Sequence, residues 1–101
     1  MKSGVEQIAE ERQRQVEKEG WTPEHDGEHS DGSLARAAAC YAVEGRAMMT
    51  VTEQGVPYKA PRQWPASWHP KWWKPKDRIR DLVRAGALIA AEIDRLQRAA
   101  K

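Results

Sequence analysis

Thr50-Val-Thr-Glu-Gln-Gly-Val-Pro-Tyr-Lys-Ala-Pro-Arg-Gln63 separates two strongly helical parts of the chain. Gly55, Pro57 and Pro61 interrupt any helix here. Two readings remain: a loop, or a short hairpin with Thr50-Val-Thr52 opposite Val56-Pro-Tyr58. The choice decides the fold class. If the stretch is a loop, all regular structure is helix, and an all-α domain is expected.

On its C-terminal side stands Trp64-Pro-Ala-Ser-Trp-His-Pro-Lys-Trp-Trp-Lys-Pro75, which holds four of the five tryptophans of a chain without phenylalanine. Its prolines exclude a long regular helix. The indoles can cap the open end of a small helical core. They can also stack on nucleobases, worth about 1–3 kcal/mol per base, while Lys59, Arg62, Lys71, Lys74, Lys76 and Arg78 meet phosphates. Adjacent rings such as Trp72 and Trp73 rarely both point inward. A helix then runs over about residues 77–98. Ile79, Leu82, Val83, Gly86, Ile89, Ala90, Ile93 and Leu96 form the clearest apolar stripe in the chain. Gly86 costs a helix about 1 kcal/mol relative to Ala, so a close approach by a helix or a ligand is expected there.

On the N-terminal side the pattern predicts a helix over about residues 33–48, capped by Asp31 or Ser33. Its face is Leu34, Ala37, Ala38, Tyr41 and Met48. Cys40 is the sole cysteine, which excludes an intramolecular disulfide, and it reads as a small buried core residue. Another helix is predicted over residues 3–19. Ser3 and Glu6 form a capping box, and Gly20 is a left-handed stop. Val5, Ile8, Ala9, Arg12, Gln15 and Val16 share one face. Arg12, inside that stripe, either snorkels to its edge or meets a carboxylate or a bound anion.

Between these helices lies Gly20-Trp-Thr-Pro-Glu-His-Asp-Gly-Glu-His-Ser-Asp-Gly32, the segment densest in reactive groups. His25, Asp26 and His29, with Glu11 or Glu92 as further candidates, offer the imidazole–carboxylate set that holds zinc, manganese or iron. The same residues also serve as turn caps. Glu10, Glu11, Glu17, Glu92 and Asp94 read mainly as a solvated face. Glu92 and Asp94 are two apart and do not share a helix face.

The chain has 101 residues and a net charge of +2, with acids and bases interleaved. That bounds it to one domain and argues against a general nucleic-acid binder. No apolar run approaches the roughly 18–20 residues of a membrane span, and no signal peptide is visible, so a cytoplasmic protein is expected. The predicted architecture is three main helices covered at one end by a Pro/Trp-rich loop over residues 57–76, assembled as a homo-oligomer.

The order Glu11-Arg-Gln-Arg-Gln15, Glu19-Gly-Trp-Thr22, Glu24-His-Asp26, His29, Leu34-Ala35 and Ala38-Ala-Cys-Tyr-Ala42 resembles a group of small phage and prophage proteins. So do Trp64-Pro65, Trp72-Trp-Lys-Pro75 and Asp81-Leu-Val-Arg-Ala-Gly-Ala-Leu-Ile89. Gly27 departs from that pattern, which has a second acid after Asp26. A looser similarity extends to all-α, MazG-like nucleotide pyrophosphohydrolases, without their paired Glu-x-x-Glu and Glu-x-x-Asp carboxylates. A small phage protein with a polar and aromatic pocket but no complete catalytic set is expected to sequester a nucleotide-type small molecule without turnover. The molecule would be a cyclic oligonucleotide or ADP-ribose-type host immune signal. Arg12, Arg14, His25, His29 and Lys74 would hold phosphates or ribose hydroxyls, and Trp21, Trp72 and Trp73 would stack the base. The alternatives are a metal-dependent nucleotide hydrolase using His25, Asp26 and His29, and an inhibitor docking on a host defence protein through the tryptophans. No cofactor is required on the first reading. A divalent metal is required on the second.

Overall fold

A computed structural model describes residues 1–20 and 31–100. In it, the stretch with Gly55, Pro57 and Pro61 forms a hairpin, over residues 48–61, and not a loop. β1 (Met48–Glu53) pairs antiparallel with β2 (Val56–Pro61). Gln54 and Gly55 both have positive φ, 49° and 81°, the turn twist that suits a two-residue hairpin connection. Thr50, Val51 and Thr52 supply the β-branched residues that favour extended backbone. Pro57 faces Thr52 and Pro61 faces Met48. With no N–H, each can only occupy a position whose amide points away from β1. The outer edge of β2 therefore lacks two donors, which protects it from pairing with another strand.

The all-α expectation is corrected accordingly. Among the described residues there are three α-helices, one 3₁₀ turn (Pro70–Trp72) and a two-stranded sheet. The helix expected over residues 33–48 stops at Ala42 in α2 (Ser33–Ala42). Val43 is extended, Gly45 takes a positive φ of 62°, and Met48 starts β1 instead of lying on a helical face. The expected cover over residues 57–76 likewise begins as strand.

The other helices lie close to their expected bounds. α1 (Gly4–Lys18) carries the full Ser3–Glu6 capping box, and Gly20 has φ 72°. α3 (Arg78–Ala99) is capped by Asp77, which accepts from the Arg80 amide at 2.8 Å. Gly32 occupies the N-cap of α2, and Asp31 Oδ1 accepts from the Ser33 amide at 3.1 Å. α1 and α2 both pack on α3, which is the centre of the fold. The core joins Leu34, Ala37, Ala38, Cys40 and Tyr41 of α2 to Ala85, Leu88 and Ala91 of α3. Small side chains on both helices let their axes approach closely. Burial pushes the Cys40 thiol pKa up, as suits an inert core residue.

The apolar stripe of α3 does not face this core. Val83 is buried, but Ile79, Leu82, Ile89, Ile93 and Leu96 are exposed. Gly86 meets α1: a Cβ placed there would lie 2.5 Å from Ile8 Cδ1. The expected close approach is therefore a helix crossing. Among the described residues, no helix is long and apolar enough to cross a membrane.

Candidate ligand-binding site

The tryptophan segment is part core and part surface. Trp64 and Trp68 are buried, with ring centroids 5.6 Å apart in an edge-to-face pair. Tyr41 packs against Trp64 at 6.1 Å and Trp73 at 4.7 Å. Burying one indole removes on the order of 200 Å² from water, or up to about 5 kcal/mol at 25 cal/mol per Å². This is why the segment closes one end of the core despite its prolines. Of the two adjacent rings, Trp73 is half-buried beneath the Arg46 guanidinium, 4.9 Å from the ring centroid, and Trp72 is 48% exposed.

Polar contacts hold this segment in place. The Tyr41 hydroxyl donates to the Trp72 carbonyl at 3.4 Å and accepts from the Lys74 amide at 3.2 Å and from Arg84 at 3.3 Å. Arg84 also donates to the Lys74 carbonyl at 2.8 Å. His69 Nδ1 accepts from the Lys71 amide at 3.0 Å, which places the ring proton on Nε2, 2.9 Å from Glu53 Oε2. Through His69 the hairpin is fastened to the indoles. Lys71 and Lys74 remain exposed on either side of the Trp72–Trp73 pair.

A second polar centre lies where α1 meets α3. The Glu11 carboxylate is fully buried. Arg14 donates to both of its oxygens at 2.8 Å, Gln15 donates to Oε2 at 3.1 Å, and Arg80 of α3 donates to Oε1. Burial pushes the Glu11 pKa up, but the Arg14 hydrogen bond and charge, the Arg80 charge and the Gln15 amide outweigh it, so the carboxyl lies below its ordinary range. The expected solvated face is thus corrected at Glu11. The Glu11–Arg14 and Glu11–Gln15 spacings, three and four residues, were visible in the sequence. Nothing local pointed to Arg80. Arg14 also reaches Glu19 at 3.2 Å, next to the point where the histidine-bearing stretch begins.

The other end of that stretch is anchored as well. Asp31 Oδ2 accepts from the Ser67 hydroxyl at 2.8 Å. The bonds from Ser67 and from Ser33 hold the Asp31 carboxyl down at about 2. Two side-chain oxygens on the flanking helices, Gln15 Oε1 and Ser33 Oγ, are buried and have no hydrogen-bond partner among the described residues. Sequence reading missed all three of Ser67, Gln15 and Ser33 as site residues, because their burial or pairing depends on segments distant in the chain.

Of the sequence-predicted site, Trp21, His25, Asp26 and His29 lie outside the described residues. Arg14, Trp72, Trp73 and Lys74 are placed as above. Arg12 borders an apolar groove lined by Val5, Ile8, Ala9 and Val16 of α1 and Ala90 of α3. Trp72, Trp73 and Lys74 stand together as consecutive residues, while Arg14 is engaged by Glu11 and Glu19. Among the described residues, no three His, Cys, Asp or Glu side chains come together as a metal site. The chain matches no family model, no curated protein and no solved structure.

Proposed function

We propose that the protein binds and sequesters a nucleotide-type small molecule, without turning it over, at the seam between the histidine-bearing stretch and the tryptophan segment. The Asp31–Ser67 hydrogen bond carries this reading, because it ties the end of one region onto the other. The half-exposed Trp72 ring beside Lys71 and Lys74 supplies a stacking surface with cations for phosphate. The buried oxygens of Gln15 and Ser33, without a hydrogen-bond partner among the described residues, lie on the helices flanking residues 21–30.

Glu11, the buried carboxylate nearest in sequence, already accepts from Arg14, Gln15 and Arg80. It is occupied as a structural clamp, so it is poorly placed to act as a general base. In this reading the protein belongs to the phage group it resembles, works as a homo-oligomer in the host cytoplasm, and removes a host immune signal from circulation.

The test incubates the protein with ADP-ribose or with a cyclic dinucleotide, denatures it by heat, and analyses the released nucleotide. Retention on the folded protein and intact release are expected. Replacing Trp72 by Ala should weaken retention by about tenfold or more, the loss of one stacked ring. A cleaved product would overturn the reading in favour of a hydrolase. No retention of either nucleotide class would remove its basis.

A further inference from the structure

His69 is the one histidine among the described residues, and its ring is bonded through both nitrogens. Nδ1 accepts from the Lys71 amide at 3.0 Å and so caps the 3₁₀ turn that carries Trp72. Nε2 lies 2.9 Å from Oε2 of Glu53, the last residue of β1. Tyr58 of β2 packs against the ring edge-to-face, with centroids 5.0 Å apart. Only a neutral ring with its proton on Nε2 satisfies both bonds, since Nδ1 must offer a lone pair to Lys71. Histidine is also the side chain whose charge changes between about pH 5 and 8.

A second ring proton has to go on Nδ1, where it meets the Lys71 N–H head-on. Two donors do not remain in hydrogen-bond contact, so one of them moves away. The ring is the better held of the two. Once charged, it binds the Glu53 carboxylate more strongly. The His69 carbonyl also accepts from the Trp72 amide at 3.0 Å and from the indole of buried Trp64 at 3.4 Å. Lys71 and Trp72 are exposed, so the movement falls on them. We propose that His69 is a pH-sensitive latch between the hairpin and the tryptophan segment: taking up a proton tightens its bond to Glu53, releases the Lys71 amide and re-aims the exposed Trp72 ring. The charged and titratable groups that meet the ring are Glu53 on β1, Tyr58 on β2 and Lys71 on the 3₁₀ turn. Glu53 favours the charged ring and the Lys71 amide the neutral one. Asp31, tied to Ser67 in the same segment, is held down at about 2 and keeps its charge across this range.

The latch depends on the fold alone, whether or not Trp72 stacks on a nucleotide. The experiment is NMR on the full isotope-labelled chain, titrated from about pH 8 to about pH 5. It follows the His69 ring nitrogens, the Lys71 and Trp72 amides and the Trp72 indole N–H. One shared midpoint is expected, with the Lys71 amide shifting as Nδ1 gains its proton. His69→Asn keeps an acceptor for that amide but cannot titrate, so Lys71 and Trp72 should then stay unmoved over the same range. Glu53→Gln keeps a hydrogen bond and removes the charge, so the shared midpoint should fall to lower pH. A Lys71 amide that does not shift in the native chain would overturn the proposal. So would shifts that persist in His69→Asn, because another group, such as His25 or His29, would then be the sensor. A midpoint that Glu53→Gln leaves in place would overturn it too.

Discussion

α3 is joined to its two helical neighbours by different mixtures of packing and charge. Toward α2 small side chains pack closely, with alanines, Leu34, Leu88 and Tyr41 closed at one end by Trp64 and Trp68, and Arg78 and Arg84 add bonds to Ala42 and Tyr41. Toward α1 the contact includes a charged clamp at Glu11 and a steric fit at Gly86. The first joint depends mainly on packing density. The clamp makes the strength of the second vary with pH and with single substitutions.

The largest expected effect is on the apolar joint. Trp64→Ala should destabilise the domain by about 3–5 kcal/mol, because it opens a cavity under Tyr41, Trp68 and Trp73. Chemical denaturation would measure it, and a loss below about 1 kcal/mol would show that the indoles cover the core without filling it. Glu11→Ala comes next, at about 3 kcal/mol, since it leaves Arg14 and Arg80 without their shared carboxylate. If the charged clamp were only decorative, this variant would unfold with native stability.

Acid should separate the two joints. The Glu11 carboxyl is depressed in the folded state. Its contribution is fully present above the unfolded-state pKa and fades as pH falls through the folded-state value. Native protein should lose stability below about pH 4.5. Glu11→Gln should show a flatter acid limb, and Trp64→Ala the native slope on a lower baseline. Asp31 adds a contribution of the same sign, lost as pH falls from the ordinary aspartate range toward about 2. Parallel acid limbs for native protein and Glu11→Gln would remove Glu11 from the account.

The smallest effect tests the steric fit. Gly86→Ala gains helix propensity of about 1 kcal/mol but drives a methyl into Ile8. A net loss of about 1 kcal/mol is expected in the native background. In an Ile8→Ala background the same change should stabilise the chain. Equal effects in both backgrounds would mean that α1 does not press on Gly86.

Much of this was readable residue by residue. The Ser3–Glu6 box, the Gly20 stop, the start of α3 at Asp77 and the buried Cys40 follow from local rules. The hairpin of Thr50-Val-Thr52 opposite Val56-Pro-Tyr58 was legible as one of two alternatives, and the structure pairs the strands one residue further along, Thr50 with Lys59. The prolines that argue against a strand sit on the unpaired edge of β2. Of the candidate site, the exposure of Trp72 beside half-buried Trp73 accords with the difficulty of turning two adjacent indoles inward.

What the sequence by itself determined, then, is where helices begin, where they cannot continue, and which rings are large enough to close a small core. Those outcomes depend on bonds and sterics within a few residues. Which side of α3 faces inward was decided only by the tertiary structure. A helix with apolar residues on two sides has no local preference between them, and the alanine side prevailed because it lets α2 approach closely. Arg80 reaching Glu11 and Ser67 reaching Asp31 were settled in the same way, by chain segments that meet only when the fold closes.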